Sequence, residues 1–257
     1  MDPVKAKKHL GQHFLKDEAI ALRIVDAVQK NNLPLLEIGP GTGVLTKHLI
    51  SREHFFAADV DTESIDYLKK TYPQFQDKIL YADFLKIDLN SLFSSKFAII
   101  GNFPYNISSQ IMFRVLDYKN QVQEVVGMFQ KEVAERIAEK PGTKAYGILS
   151  VFLQAYYSIE YLFTVEPGAF NPPPKVRSAV IRLTRNAVEK LDCDEKLFKS
   201  IVKMAFNQRR KMLRNSLRSL VKEESLFAHR FFTLRPERLS VADFVELTRL
   251  IEKQPAI

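Results

Sequence analysis

Cysteine is nearly absent from this chain. The only one among the 257 residues is Cys193, so no disulfide can form within the molecule. This usage is typical of a reducing compartment, and the first residues lack the apolar stretch of a secretory signal. We therefore expect a cytoplasmic protein. The five histidines show no metal-ligand spacing and no Cys–His cluster exists, so we expect no bound metal.

Long apolar runs are missing as well. The most apolar region, residues 146–163, is interrupted by Gln154, Ser158 and Glu160, which indicates a core helix and a strand, not a membrane span. We find neither an internal repeat nor a low-complexity tract. An apolar content of 46% is ordinary for a globular protein, and the length allows one large domain with a small appendage.

Acidic residues are absent from one segment. Residues 196–222 contain nine Lys or Arg and no Asp or Glu, in a chain whose net charge is +8. A solvated face normally mixes both signs, so this segment predicts contact with a nucleic-acid backbone. Arg210, Arg214 and Arg218 recur every four residues, which predicts a basic stripe on one helix. The leucines of its other face are Leu213, Leu217 and Leu220. The predicted contact residues are Asn207, Arg209, Arg210, Lys211, Arg214 and Arg218.

Strand and helix patterns alternate from residue 35 onward. This order predicts an α/β fold with a Rossmann-like, doubly wound and mostly parallel sheet. The seven predicted strands are 35–38, 55–59, 78–84, 97–100, 124–129, 158–165 and 178–183. A proline-rich loop too short for a crossover helix joins the last two, so the last strand should be antiparallel. Helical patterns after residue 192 predict a small all-helical C-terminal domain, giving domains of 1–190 and 191–257.

The first predicted strand runs into a glycine loop, Gly39-Pro40-Gly41-Thr42-Gly43, and helical spacing of apolar residues follows over 44–50. Strand, glycine loop and helix together are the arrangement in which ligands bind at the carboxyl edge of a parallel sheet. Glycine permits positive φ and close approach of a ligand to the backbone. A dinucleotide loop would require glycine at position 44, where Val44 stands, so a nicotinamide cofactor is disfavoured.

Carboxylates end the next two predicted strands. Asp59 follows the first glycine by about twenty residues, where dinucleotide folds bind a ribose hydroxyl. Asp83, followed by Phe84, ends the third strand. Either aspartate alone is explained as well by a helix cap or a solvated loop. Together with Asn102 after the fourth strand, they would line one edge of one sheet.

The tetrapeptide Asn102-Phe103-Pro104-Tyr105 suits recognition of an exocyclic amino group on a flat heterocycle. The side-chain oxygen of Asn102 can accept one N–H, and the Phe103 carbonyl, held extended by the following proline, can accept the other. Tyr105 offers a ring for stacking, and Phe170 is the candidate for the opposite face of the base. A strand-ending turn is the alternative for the tetrapeptide, and a core position is the alternative for Phe170.

These motifs, in this order, resemble those of class I methyltransferases that use S-adenosylmethionine to modify an amino nitrogen. More specifically, the chain resembles the small-subunit ribosomal RNA adenine N6,N6-dimethyltransferases from end to end. The further segments that carry the resemblance are 8–15, 130–136, 144–147, 170–178 and 205–211. Two positions depart from the family pattern: His13 stands where Asn is common, and Phe103 where Leu is common.

The resemblance implies transfer of methyl groups from S-adenosylmethionine to N6 of two adjacent adenosines. These lie in a hairpin loop near the 3′ end of small-subunit rRNA, and the activity serves small-subunit biogenesis. Residues 1–190 would form the catalytic domain and 191–257 the RNA-binding domain. The implied cofactor-binding residues are His13, Leu15, Glu37, Gly39, Gly41, Asp59, Asp83, Phe84 and Asn102. The implied catalytic residues are Asn102, Phe103, Pro104, Tyr105 and Phe170.

Within that set, His13 and Leu15 would close over the site, and Gly39 with its neighbours would hold the methionine portion of the cofactor. Asp59 would bind the ribose hydroxyls and Asp83 the adenine amino group. By the same resemblance, the N-terminal lysines are expected to meet RNA; they are Lys5, Lys7 and Lys8. The alternative for them is a solvated terminus.

The expected partners are the small ribosomal subunit and its rRNA, and we expect a monomer that binds no membrane. Two alternatives stay open at this point: a resistance-type methyltransferase of large-subunit rRNA, and a ribosome-assembly factor whose binding matters more than its catalysis. DNA adenine and protein glutamine methyltransferases typically carry Asn-Pro-Pro-Tyr, and Phe103 argues against both.

Overall fold

The computed structural model of the chain describes residues 4–29 and 32–254, which form two compact units. The first unit comprises the chain up to Ala134 together with Ser158–Arg185. The second comprises Glu135–Tyr157 and the chain from Asn186 onward. The predicted division at residue 190 placed Glu135–Tyr157 in the first domain. Residues 1–3 and 255–257, the outer ends of the two predicted domains, lie outside the described ranges. The separate roles assigned to the two domains remain predictions.

A seven-stranded sheet forms the centre of the first unit, and a second sheet has two short strands. The strands are β1 (Phe14–Leu15), β2 (Leu35–Ile38), β3 (Phe55–Asp59), β4 (Ile79–Tyr81), β5 (Phe97–Asn102), β6 (Val122–Gln130), β7 (Tyr157–Val165), β8 (Phe170–Asn171) and β9 (Ser178–Arg185). The large sheet has the order β4-β3-β2-β5-β6-β9-β7. Its pairs from β4 to β6 are parallel, whereas β9 is antiparallel to β6. The predicted Rossmann-like fold with an antiparallel last strand is therefore confirmed.

The parallel strands are apolar runs because both faces of the sheet are covered. All four residues of β2 are buried, as are the first five of β5. A helix follows each strand from β1 to β5, and because β2 to β5 run parallel, their carboxyl ends lie at one edge of the large sheet. These helices are α1 (Glu18–Asp26), α2 (Thr46–Leu49), α3 (Thr62–Thr71), α4 (Leu89–Leu92) and α5 (Ser108–Asp117). The next helix, α6 (Lys131–Ala138), spans the division between the units.

Aspartates begin three of these helices. Asp17, Asp61 and Asp88 precede α1, α3 and α4, and each side chain accepts a hydrogen bond from a backbone N–H of the first turn. This cap satisfies donors that have no partner within the helix. The sequence thus fixes where each of these helices starts after its strand.

The third predicted strand is shorter than expected. It was predicted over 78–84 and ends at Tyr81, so the prediction that a carboxylate ends it is wrong. The carbonyl of Asp83 accepts hydrogen bonds from the N–H groups of Lys86 and Ile87, which makes a turn there. Asp83 therefore lies two residues beyond the strand, on the loop at the same edge of the sheet.

The second unit is mainly helical. Its helices are α7 (Ile148–Gln154), α8 (Glu195–Asn207), α9 (Leu213–Ser216) and α10 (Val241–Glu252), with short 3-10 helices between the last two. Phe206 lies 6.2 Å from Tyr146 and 5.9 Å from Phe244, ring centroid to centroid, and all three are buried. These contacts form part of a core that belongs to this unit. Among the described residues, no helix combines the length and the apolar character that crossing a membrane requires.

The predicted basic helix does not form. The helix α8 ends at Asn207, α9 is only four residues long, and Arg218 begins a separate 3-10 turn. The backbone N–H of Leu213 donates to the carbonyl of Leu234 at 2.8 Å, a contact outside the helical pattern. The prediction that Arg210, Arg214 and Arg218 form one helical stripe is therefore wrong.

Candidate active site

A pocket lies at the carboxyl ends of β2, β3 and β5, where open parallel sheets bind ligands. Gly39 follows β2, Asp59 ends β3 and Asn102 ends β5. Because β2 is hydrogen-bonded to both other strands, these distant residues meet at one edge. The predicted site residues that line the pocket are His13, Gly39, Gly41, Asp59, Asp83, Asn102, Phe103, Pro104 and Tyr105.

The loop after β2 requires glycine at two of these positions. Gly39 and Gly41 have φ values of 68° and 54°, in the left-handed region that other residues rarely adopt. A Cβ at residue 41 would lie 2.8 Å from the ring of Phe14, which lines the same pocket. The bare backbone therefore leaves space for the ring and the pocket. The helix predicted over 44–50 is the shorter α2.

Asp59 is a buried carboxylate held by backbone amides. Its Oδ2 accepts from the N–H of Gly41 at 3.3 Å and its Oδ1 from that of Asp61 at 3.0 Å. Burial raises the pKa of Asp59, and these two hydrogen bonds oppose the rise. The side chain is thereby fixed at the pocket, where a carboxylate can accept hydrogen bonds from a pair of hydroxyls.

Asp83 reaches the pocket from its turn. Its Oδ1 accepts from the N–H of Leu85 at 2.9 Å, and Leu85 also lines the pocket. Asp59 and Asp83 are the two carboxylates of the lining, and no Lys or Arg occurs among the described residues that form it. Such a lining suits a cationic ligand and does not suit a phosphate.

The amide of Asn102 has a defined orientation. Its Nδ2 donates to the backbone carbonyl of His13 at 2.9 Å. Since a carbonyl can only accept, the NH2 group must face His13, and Oδ1 is the amide atom left for a ligand. The acceptor role of Oδ1 towards a target amine stays a prediction.

Phe103 lines the pocket although the residue is buried. The residue is 1% exposed, and its ring packs edge-to-face on Phe129, with ring centroids 5.1 Å apart. The next residue is Pro104, which also lines the pocket. The acceptor role of the Phe103 carbonyl stays a prediction.

The side chain of Tyr105 is held by its hydroxyl and by the face of its ring. Its hydroxyl is 2.5 Å from Oγ of Ser178, and its ring stacks on His13 with centroids 5.5 Å apart and planes at 28°. His13 Nδ1 lies 2.8 Å from the carbonyl of Pro172, so this nitrogen carries the proton. These contacts hold the side chain of Tyr105 in a fixed orientation at the pocket.

Four predicted residues do not line the pocket: Leu15, Glu37, Phe84 and Phe170. Leu15 and Phe170 are partners in the antiparallel pair of β1 and β8, and both side chains lie in the hydrophobic core. The expectation that the Phe170 ring faces the base is therefore wrong in this structure, because that ring is 1% exposed. Phe84 is buried as well. Glu37 is buried within β2, where its Oε2 accepts from the Thr46 hydroxyl at 2.7 Å.

Other lining residues were not predicted. Gln12 and Asn106 neighbour predicted residues, and Leu85 follows Asp83 by two positions. Val60, which is 41% exposed beside Asp59, is an apolar surface residue at the pocket. For Gln12 and Asn106, a polar side chain beside a motif was the available signal, but only the fold shows which neighbours turn inward.

The predicted RNA-contacting residues belong to the second unit. The exposed ones are Asn207, Arg210, Lys211, Arg214 and Arg218. Arg218 forms an ion pair with Glu224 and lies over the ring of Phe227, 4.9 Å from its centroid. Arg209 differs, because its Nη2 donates to the carbonyl of Thr143 at 3.1 Å and its Nε lies 3.9 Å from Glu237. It contacts its own unit.

The chain is similar to known proteins over nearly its whole length. A family model described as "Ribosomal RNA adenine dimethylase" matches residues 4–252. The Ribosomal RNA small subunit methyltransferase A of Parabacteroides distasonis is 56% identical over 253 residues, which cover 97% of this chain and 95% of the relative. The protein of the same name from Cytophaga hutchinsonii is 56% identical over 255 residues, covering 98% of this chain and 99% of the relative.

Two solved structures are similar over nearly the whole chain. A dimethyladenosine transferase from Plasmodium falciparum is 25% identical with a TM-score of 0.79, covering 94% of this chain and 98% of that one. The 23S rRNA methyltransferase ErmE is 26% identical with a TM-score of 0.69, covering 92% of this chain and 99% of that one.

Proposed function

Since the chain belongs to the ribosomal RNA adenine dimethylase family, we propose that its pocket methylates N6 of adenosines in small-subunit rRNA. The chain is an S-adenosylmethionine-dependent rRNA adenine dimethyltransferase. The observation that carries the assignment of the reaction to this pocket is the hydrogen bond from Asn102 Nδ2 to the His13 carbonyl, because it leaves Oδ1 free for the target amine.

The residues of the pocket fit the cofactor. S-adenosylmethionine, when bound, supplies a methyl group on a positively charged sulfur. The lining provides carboxylates and no cationic side chain among the described residues, which favours that charge. Asp59 would accept the ribose hydroxyls and Asp83 the adenine amino group. Gly39 and Gly41 allow the backbone to approach the methionine portion.

The target amine is held by neutral oxygens. Adenine N6 is a poor nucleophile because its lone pair is delocalised into the ring. Asn102 Oδ1 and the Phe103 carbonyl accept hydrogen bonds from its two N–H groups. These hydrogen bonds favour the tetrahedral nitrogen formed during attack. A charged base is unnecessary because the proton becomes acidic once the nitrogen has been methylated.

The ring of Tyr105 supports the base against this pair of oxygens. Its fixed position, between Ser178 and His13, orients the amine without further ordering. The target adenosine must leave its stack to enter, and stacking on an aromatic ring recovers about 1–3 kcal/mol of that cost.

The second unit would contact the rRNA through its exposed basic residues. Arg210, Lys211 and Arg214 are exposed on the turn after α8 and on α9. The small-subunit relatives at 56% identity favour small-subunit rRNA over the large-subunit target that the similar 23S rRNA enzyme has at 26%. Two adjacent adenosines of a 3′ hairpin loop are the specific target we propose.

The experiment uses the full chain, radiolabelled cofactor and small subunits that lack the modification. Product mapped by mass spectrometry should show N6,N6-dimethyladenosine. Asn102→Ala should lower the transfer rate by about a hundred-fold or more, because an oriented group acting on the transition state is lost. S-adenosylhomocysteine affinity should change far less, and the exposed Asn120→Ala should behave as the parent. A parent-like rate for Asn102→Ala would refute the role of this amide; an unmodified rRNA product with the parent would refute the function.

A further inference from the structure

One continuous segment forms a wall of the pocket. Five successive residues, 10–14, contribute to the lining, and they follow Lys7 in a short N-terminal stretch. We call residues 7–14 the N-terminal wall. Since the wall is a loop with one 3-10 turn, Lys8–Leu10, its position depends on contacts with the rest of the unit.

Asp61 fixes the start of this wall. Lys7 Nζ lies 2.5 Å from its Oδ1, and Gln12 Nε2 donates to its Oδ2 at 2.9 Å. The backbone N–H of Lys7 also donates to Gln12 Oε1 at 2.8 Å, which closes the loop on itself. The Asp61 side chain is 0% exposed and the Lys7 side chain 26%, so the carboxylate is shielded from solvent and its charge-assisted hydrogen bonds are strengthened.

The same carboxylate is anchored to the sheet edge. It accepts from the N–H of Glu63 at 3.1 Å and from the hydroxyl of Ser64 at 3.0 Å, both at the start of α3. Burial alone would raise the pKa of Asp61, but the hydrogen bonds from Gln12, Lys7 and Ser64 outweigh it and lower the pKa. The carboxylate is therefore ionised when it meets the Lys7 ammonium.

Asp61 also connects this anchor to the pocket. Its backbone N–H donates to Oδ1 of Asp59 at 3.0 Å, the carboxylate that lines the pocket. At the far end, the wall is held by the hydrogen bond from Asn102 to the His13 carbonyl. That end is also held by His13 Nδ1 at the Pro172 carbonyl and by the pairing of Phe14 with Asn171, whereas Lys7 with Asp61 fixes the start of the wall, outside the pocket.

We propose that Lys7 is a positioning residue for cofactor binding. Through Asp61 it holds the N-terminal wall in place, although it does not line the pocket. This inference rests on the proposed function, since the ligand is S-adenosylmethionine. It also replaces the expected RNA contact of Lys7, because its ammonium is committed to Asp61 and to Glu63 at 3.1 Å.

The test measures cofactor affinity in the absence of RNA. Lys7→Met in the full chain should bind S-adenosylhomocysteine about ten-fold more weakly by titration calorimetry, as expected for loss of one charge-assisted hydrogen bond. The KM for S-adenosylmethionine should rise by a similar factor while kcat changes less than about two-fold. Lys7→Arg should restore the affinity, since a guanidinium can also bind a carboxylate.

The matched control is Lys70→Met, which removes the same charge from an exposed position on α3. Its cofactor affinity should equal that of the parent. Equal affinities for Lys7→Met and the parent would overturn the inference, as would equal weakening in both lysine variants. Loss of affinity together with a large fall in the melting temperature, not restored by Lys7→Arg, would show a merely structural role. A parent that binds no S-adenosylmethionine would instead refute the proposed function.

Discussion

Phe103 stands where the family pattern commonly has leucine, and two glycines make room for the larger ring. Gly101 and Gly127 are cross-strand partners on β5 and β6. A Cβ at Gly127 would lie 2.3 Å from Phe103 Cε2, and one at Gly101 would lie 2.8 Å from Cε1. The bare backbone of both strands therefore lies beneath the ring. Phe103 also lines the pocket, where its carbonyl is the group we assign to the target amine.

Gly127→Ala should destabilise the protein, because its Cβ would overlap the Phe103 ring and also lie 2.7 Å from Phe129. Overpacking of this kind costs about 1–3 kcal/mol. The double variant Gly127→Ala/Phe103→Leu should recover part of that loss, since leucine ends short of the overlap. Urea unfolding of the four combinations measures the coupling. Strictly additive changes would show that the ring does not rest on the glycine.

Sequence reasoning reaches some site residues and misses others for a physical reason. Asn102 and Asp59 were predicted because polar residues after apolar strands must meet at the carboxyl edge. The sequence did not decide whether Phe170 lies at the pocket or in the core, since an aromatic residue beside a proline-rich loop fits both positions. Its pairing with Leu15, a contact between distant parts of the chain, decided for the core.

At the scale of elements, the buried strands were the most predictable. The apolar runs at β2 and β3 coincide with the predicted bounds, because a strand covered on both faces needs no alternation. The two-residue strands β1 and β8 carry no such pattern, and each is a strand because it pairs with the other. For the basic segment the helical spacing was present, but the predicted helix does not form because turns interrupt it. Leu213 and Leu217 are nevertheless buried, without a continuous helix.

This altered geometry changes which basic residues should bind RNA. Arg210 and Lys211 are exposed in the turn after α8, so replacing both with alanine should flatten the salt dependence of rRNA binding. Each lost phosphate contact reduces the slope of log affinity against log salt by about 0.7–0.9, which gives about 1.5 for the pair. Filter binding at several salt concentrations measures it.

Arg209→Ala is the matched control for that pair. Its guanidinium contacts Thr143 and approaches Glu237, so its loss should lower the thermal stability and leave the salt slope nearly unchanged. If Arg209→Ala flattened the slope as much as the double variant, the distinction between inward and outward arginines would be wrong.

At the scale of the molecule, the two units are not two stretches of sequence. Residues 135–157 pack with the C-terminal part: the Tyr156 hydroxyl donates to Glu195 at 2.8 Å, and the Asn186 N–H donates to the Tyr156 carbonyl at 3.0 Å. A boundary read from a change of pattern divides a chain once, so it cannot detect a segment that leaves one unit and returns. The chain passes between the units three times, and the predicted boundary near residue 190 marks only the last of these passages.

The free energy of unfolding should depend on pH through the buried side chain of Glu37. Burial raises the pKa of Glu37 to about 8, while the hydrogen bond from Thr46 opposes the rise and the charge of Asp59 adds to it. At neutral pH the folded protein therefore keeps a proton on Glu37 that the unfolded chain, with its ordinary carboxyl pKa, releases. The contribution of protonated Glu37 to the free energy of unfolding is fully present below the pKa that Glu37 has in the unfolded chain. It is lost as the pH rises towards 8.

Glu37→Gln keeps the shape and the acceptor for Thr46 but cannot ionise. The parent should lose about 1.4 kcal/mol of unfolding free energy per pH unit from this group between the two pKa values, and the variant should not. The gap between variant and parent should therefore widen from pH 5 to pH 8 in urea unfolding followed by circular dichroism. Glu53→Gln, whose side chain is 87% exposed, should leave the pH curve parallel to that of the parent. If Glu37→Gln gave a parallel curve too, the acid would be ionised in the fold, and the sheet beneath the glycine loop would carry a second negative charge beside Asp59.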